Sequence, residues 1–166
     1  MIETARLLLR PFAPDDLAAY AAIWAQPEVV RYLPNERDTT QAQHTAGSFL
    51  EAWSEEAWQK GYWPWAVIER SSQRLIGHAG LRHSTGLDSP ELIYMFDVSA
   101  WGQGYACEAA LAACDFGRDT LRVDRITAVA LAENAGSIGV LLKAKFQFQG
   151  EITADGLHLV RYDRRL

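Results

Sequence analysis

Two cysteines are all that the 166 residues contain, so no disulfide framework can staple the chain. Cys107 and Cys114 sit seven positions apart. On a helix their Cα atoms stand about 10 Å apart along one face, beyond the roughly 7 Å that a disulfide spans. They read as small buried hydrophobes in a reducing compartment. Apolar runs are short everywhere, far below the roughly 20 residues that cross a bilayer. The opening Met-Ile-Glu-Thr-Ala-Arg lacks the basic-then-apolar order of a signal peptide. The expected location is therefore cytoplasmic, with no membrane partner. A basic surplus is also missing: 16 Lys and Arg face 21 Asp and Glu, for a net charge of −5, which argues against nucleic acid as a partner. His44, His78, His83 and His158 share no ligand spacing, and no G-x-S-x-G occurs, so neither a metal site nor a serine hydrolase is expected.

What is present is an ordinary globular composition, 49% apolar and 22% charged, in a chain long enough for one well-buried core. With no repeat, low-complexity tract or dividing linker, residues 1–166 are expected to form a single domain. Residues 1–60 hold nine acids against five bases, whereas residues 101–166 hold eight of each. The acidic third either attracts a cationic partner or is plain solvated surface.

Leu7-Leu8-Leu9-Arg10 suits a strand stopped by Pro11, and Pro14-Asp15-Asp16 begins a helix carrying Leu17, Tyr20, Ala21 and Trp24 at helical spacing. Thr39 or Thr40 caps a second helix to about Lys60. Strands are expected at Trp63 to Glu69, Arg74 to Leu81 and Glu91 to Val98, then a helix from Gly104 to Arg118. Arg125 to Leu131 is a strand, Asn134 caps a helix to Lys143, and a hairpin closes around Asp155-Gly156. The sum is an α/β (α+β) fold, a twisted mixed and mostly antiparallel sheet of about seven strands with about four helices.

The stretch Asp97-Val98-Ser99-Ala100-Trp101-Gly102-Gln103-Gly104-Tyr105-Ala106 joins a strand to a helix. Gly102, Gly104 and Ala106 remove side chains where the chain turns, so consecutive N–H groups can point into one concavity. The first N–H groups of the helix lack internal partners, and its dipole adds partial positive charge. Such a cradle suits a diphosphate. A P-loop would end Gly-Lys-Ser/Thr, and a dinucleotide fold would want glycine where Cys107 stands. A coenzyme A loop, a dinucleotide site with an atypical glycine pattern and a merely structural turn remain.

WGQGYACEA resembles the acetyl-CoA loop of the GNAT N-acetyltransferase superfamily, written Gln/Arg-x-x-Gly-x-Gly/Ala. Within it the likeness is to the RimJ/RimL-like group of ribosomal-protein N-terminal acetyltransferases, which often show W-G-K-G-Y-A-T-E-A here. TARLLLRPF, the N-x-x-S from Asn134 to Ser137, and LLKAKFQFQG follow in family order, so the resemblance spans nearly the whole chain. It implies a GNAT-like fold and acetyl-CoA as cosubstrate. The backbone of Phe96, Asp97 and Val98 would pair with the pantetheine arm. Gln103, Gly104, Tyr105, Ala106 and Cys107 would hold the diphosphate, and Asn134 and Ser137 would touch pantetheine or nucleotide.

Direct acetyl transfer to an amine in a ternary complex is the activity so implied. The acceptor is a protein N-terminus or a small molecule, and a homodimer is left open. An α-amine has a reference pKa near 8 and a lysine near 10.4, so deprotonation at pH 7 costs about 1 and about 4–5 kcal/mol respectively. A base is expected, and Glu91 is the candidate, at the start of the strand into the cradle. An N–H near Val98 is placed to steady the oxyanion. Arg31, Tyr32 and Trp65, among other tryptophans (Trp53, Trp58, Trp63), are candidates for the acceptor side.

Two departures from the family stand out. The tyrosine that many members carry in the last helix is Leu141 here, and the usual Lys-Leu-Gly-Phe is Lys143-Ala144-Lys145-Phe146. The lost glycine bears on that turn alone, whereas the lost tyrosine, with Glu91 only a candidate base, keeps a second reading open, a catalytically silent acyl-CoA-binding module.

Overall fold

Leu7 and Leu9 are fully buried while Leu8 and Arg10 between and after them are half-buried, the alternation of a strand covered chiefly on one face. The structure is a computed structural model that describes residues 1–33, 38–154 and 156–166, with the backbone alone at 56, 58 and 154. Asp155, expected in the closing turn, and the side chain of Trp58 lie outside what is described.

Strands β1 (Ile2–Glu3), β2 (Leu7–Arg10), β3 (Pro64–Glu69), β4 (Arg74–Arg82), β5 (Glu91–Phe96), β6 (Arg125–Leu131), β7 (Gln147–Ala154) and β8 (Leu157–Arg165) form one sheet. Their spatial order is β1-β2-β3-β4-β5-β6-β8-β7. Every neighbouring pair is antiparallel except β5 with β6. The helices are α1 (Asp16–Trp24), α2 (Pro27–Val30), α3 (Ala42–Lys60), α4 (Tyr105–Phe116) and α5 (Ala135–Lys143). Among the described residues this makes eight strands and five α-helices, one more of each than the sequence predicts. The extra strand is two residues long, too short for alternation to show. The extra helix is the single turn Pro27–Val30, opened by a proline at its first position.

Helix α4 lies on one face of the sheet. Ala109, Ala110, Ala113 and Cys114 are fully buried, and this stripe of small side chains lets the helix axis approach Leu81, Leu92 and Phe96 closely. Helices α1 and α3 cover the other face, where Tyr20, Ile23, Trp24 and Trp53 pack with Met95 and, partly buried, Ile93. Strands β3 and β4 are sandwiched between these layers and accordingly read as nearly continuous apolar runs. No described helix is long and apolar enough to cross a membrane.

The feature that positions the site is the join between β5 and β6. Their parallel register consists of Glu91 opposite Thr127, with the Thr127 N–H donating to the Pro90 carbonyl at 3.0 Å. Beyond that point the described strands run on without pairing, so the sheet opens as a V toward Phe96 and the start of α4.

Candidate active site

Strand β5 delivers the chain to a tightly braced turn. The Asp97 carboxylate accepts from the Ser99 N–H at 2.7 Å, the Trp101 indole donates to the Phe96 carbonyl at 2.8 Å, and the Gln103 side chain donates to the Ser99 carbonyl at 2.7 Å. Gly104 then takes φ +82°, a left-handed conformation that favours glycine, and α4 begins at Tyr105. No acceptor among the described residues meets the N–H groups of Gly102, Gln103, Gly104, Tyr105, Ala106 or Cys107. The Glu108 N–H is the first in this stretch to be satisfied internally, by the Gly104 carbonyl at 3.1 Å. Gly102, Gln103 and Gly104 are exposed, and a Cβ added at Gly102 would meet nothing within 4 Å. Six consecutive amides thus lack a partner among the described residues, at the positive end of a twelve-residue helix.

The opposite wall comes from α5. Asn134 caps that helix, its side-chain oxygen accepting from the Ser137 N–H at 3.0 Å. The Tyr94 hydroxyl reaches from β5 to the Ser137 carbonyl at 3.1 Å and to Ser137 Oγ at 2.8 Å. Burial raises the Tyr94 pKa to about 12.

Because the Asp97 N–H donates to the Ile76 carbonyl in β4, the alternate residues Tyr94 and Phe96 turn their backbone groups toward the open V. The Val98 N–H is taken by the Gln26 side chain at 3.0 Å, and the same amide donates to Asp97 at 3.2 Å. Of the stretch expected to pair with pantetheine, the Phe96 N–H faces the gap, while the Asp97 and Val98 amides are held by protein.

Glu91 is buried, and its Oε2 accepts from Arg82 Nε at 2.8 Å and from the Ser84 hydroxyl. Strand alternation sets it on the α1/α3 side with Ile93 and Met95. On that side the Tyr20 hydroxyl lies 2.9 Å from His78 Nδ1, beneath the Trp53 ring. Burial, helped by the Arg82 charge, lowers the His78 pKa to about 3 and keeps the ring neutral. Arg31, exposed at the end of α2, stacks its guanidinium 5.3 Å over Tyr32. Trp65 does not join them: it is 2% exposed, edge-on to Phe116 in the core under α4. The alternation of β3 sends it there with Val67.

Arg6 and Tyr94 are the site residues that sequence reasoning missed. Arg6 donates to the Gln103 carbonyl at 2.8 Å and stands 4.5 Å over the Tyr105 ring. Its signal was the TARLLLRPF opening, and that of Tyr94 was its place in the strand before the cradle. A cavity of about 660 Å³ between residues 1–4 and the outer side of α4 includes none of the cradle residues. Among the described residues no group of three or more His, Cys, Asp or Glu is placed to hold a metal.

The sequence profile of the acetyltransferase (GNAT) domain matches residues 6–147, a span that contains the cradle and both walls of the V. The chain belongs to the GNAT acetyltransferase family. It is 30% identical over 154 residues to the "Uncharacterized N-acetyltransferase YoaA" of Bacillus subtilis (strain 168), covering 90% of this chain and 84% of that one. Its GNAT fold is shared with a GNAT-family acetyltransferase from Bacillus anthracis (TM-score 0.81, 23% identity, 99% and 97% of the two chains). It is shared equally with Mycobacterium smegmatis RimJ in complex with CoA-disulfide (TM-score 0.82, 21% identity, 96% and 81%). The open cradle fits the GNAT cosubstrate: backbone donors without acceptors, at a helix start, beside a strand with one edge open.

Proposed function

We propose that this GNAT chain transfers an acetyl group from acetyl-CoA directly to a primary amine within one ternary complex, the acceptor being a protein N-terminal α-amine or a small-molecule amine. Bound acetyl-CoA supplies an activated acetyl thioester. The amides of Gln103 to Cys107 hold its diphosphate, the Tyr94 backbone and the Phe96 N–H align its pantetheine arm, and Asn134 and Ser137 flank that arm. The observation that carries this reading is the run of six unpartnered amides beside the V-shaped opening of the sheet.

Glu91 is the base in this reading, acting on the acceptor ammonium through water. Its carboxylate is already shared with Arg82 and Ser84. That commitment favours an α-amine, whose deprotonation costs about 1 kcal/mol at pH 7, over a lysine at about 4–5 kcal/mol. Leu141, at the position of the family tyrosine, is 1% exposed in the core. Tyr94, which keeps its proton at neutral pH and is tied to Ser137, is the donor we assign for returning a proton to the departing thiolate. Arg31 and Tyr32, at the end of α2, line the acceptor side.

A thiol-release screen with acetyl-CoA over small amines and peptides of varied N-termini tests the reading. Turnover with at least one α-amine is expected. The buried Leu141 and the engaged Glu91 favour a second reading, a silent acyl-CoA-binding module. It predicts a coenzyme A-dependent rise in melting temperature with no thiol released by any amine.

A further inference from the structure

Arg6 precedes β2, and its side chain crosses to the cradle 97 positions away in sequence. There it is clamped on several sides. Arg6 Nε and Nη2 both lie 2.7 Å from Glu108 Oε2, and the Arg6 backbone N–H donates to Glu108 Oε1 at 2.9 Å. The Thr4 hydroxyl donates to the same Oε1 at 2.6 Å. Burial pushes the Glu108 pKa up, but the bonds from Thr4 and Arg6 outweigh it and hold the carboxyl below its ordinary value. The guanidinium lies over Tyr105, whose hydroxyl donates to Glu69 at 2.5 Å. With its fork fixed in this way, Arg6 Nη1 donates to the Gln103 carbonyl at 2.8 Å.

A trans peptide carries its C=O and the next N–H on opposite edges of one plane. Aiming the Gln103 carbonyl at Arg6 therefore aims the Gly104 N–H away from it, into the open concavity. A Cβ on Gly104 would stand 3.4 Å from Arg6 Nη2, which places the guanidinium against that side of the turn. Glycine admits the φ of +82° found here, but its freedom also lets the 103–104 peptide turn over, pointing the carbonyl at the ligand instead. Something outside the loop has to choose between the two orientations. We propose that Arg6, braced by Glu108 and Tyr105, is a positioning residue that fixes the Gln103–Gly104 peptide with its N–H toward the diphosphate. The inference rests on the cradle reading above. The side chain of Arg6 is 46% exposed, and an ion pair so exposed contributes little to the fold.

The test compares Arg6→Met, Arg6→Lys and Glu108→Gln with wild type by calorimetric titration with coenzyme A and with pantetheine, which lacks the diphosphate, alongside melting temperatures. Arg6→Met is expected to weaken coenzyme A about tenfold or more, the loss of an oriented donor to a charged group, while pantetheine affinity is unchanged. Arg6→Lys is expected to restore part of the loss. Glu108→Gln, which loosens the brace, weakens coenzyme A in the same direction. If Glu108→Gln tightens coenzyme A, Arg6 is a direct phosphate ligand and the positioning role is overturned. Unchanged coenzyme A affinity in Arg6→Met, or equal losses with both ligands, also overturns it. Wild type that binds no coenzyme A sinks the cradle reading and this inference together. Wild type that binds while Arg6→Met is indifferent sinks the inference alone.

Discussion

The Phe146 N–H reaches back across the end of α5 to the Leu141 carbonyl at 2.9 Å, closing the helix although no glycine is present to turn the chain. Lys145 makes the companion bond to Leu142 at 3.0 Å and adopts φ +65°. This is a Schellman closure built on a lysine. The left-handed conformation costs a side-chain-bearing residue about 1–2 kcal/mol. Lys145→Gly should stabilise the protein by about 1 kcal/mol and raise its melting temperature by about 2–4 °C, read by thermal denaturation, with coenzyme A affinity unmoved.

Gly104 has no such tolerance. Any larger side chain there must hold φ near +82° and would bring its Cβ into contact with Arg6. Gly104→Val should lower coenzyme A affinity about tenfold or more by titration, because the amides it carries no longer converge. Undiminished affinity would end the cradle reading.

Tyr94→Phe keeps the ring and removes the hydroxyl that meets Ser137. Loss of the proposed proton donor should lower turnover by about 100-fold, with the KM for acetyl-CoA within about threefold of wild type. Steady-state kinetics check both values, and an unchanged kcat would return the proton to solvent.

Glu91→Gln removes the proposed base and leaves Arg82 facing a neutral amide oxygen instead of a carboxylate. Turnover should fall about 100-fold, and stability by about 1–2 kcal/mol, since the pair is only part-buried on the Arg82 side. Full activity in this variant would show that water alone takes the proton.

His78 makes folding sensitive to acid. Burial lowers its pKa to about 3, against an unfolded value near 6.5. Between those values the unfolded chain binds the proton and the folded chain does not. Stability is therefore complete above the unfolded value and falls as pH drops through the window, by up to about 1.4 kcal/mol per unit. His78→Phe should melt lower at pH 8, having lost the Tyr20 contact. It should then lose less on acidification to pH 4, as followed by melting temperature against pH.

The sequence made the periodic elements legible. The strand at Leu7, the helix after Pro14-Asp15-Asp16 and the strand-turn-helix around Gly104 stand where alternation, capping and glycine placed them. What escaped it was anything decided by contact across the chain. Trp65 looked like an acceptor wall because aromatic rings suit such walls, yet the pleat of β3 commits it to the core under α4. Glu91 was visible as a strand-end carboxylate, but its sharing between Arg82 and Ser84 depends on how two strands meet. Arg6 lay in a motif already noticed, and only the fold brings it to Gln103. Lys145 shows the converse: the missing glycine was plain, and the backbone turned left-handed regardless.

The single parallel rung between Glu91 and Thr127 divides the sheet mechanically. Five strands on one side and three on the other are hinged at that rung, with α4 packed on the five-stranded side. An extended ligand arm lying along the bare edge of β5 would act as a missing strand and splice the two leaves. Hydrogen exchange at Tyr94, Phe96 and the outer half of β6 should therefore slow markedly once the cosubstrate is present, and the two leaves should then melt as one cooperative unit.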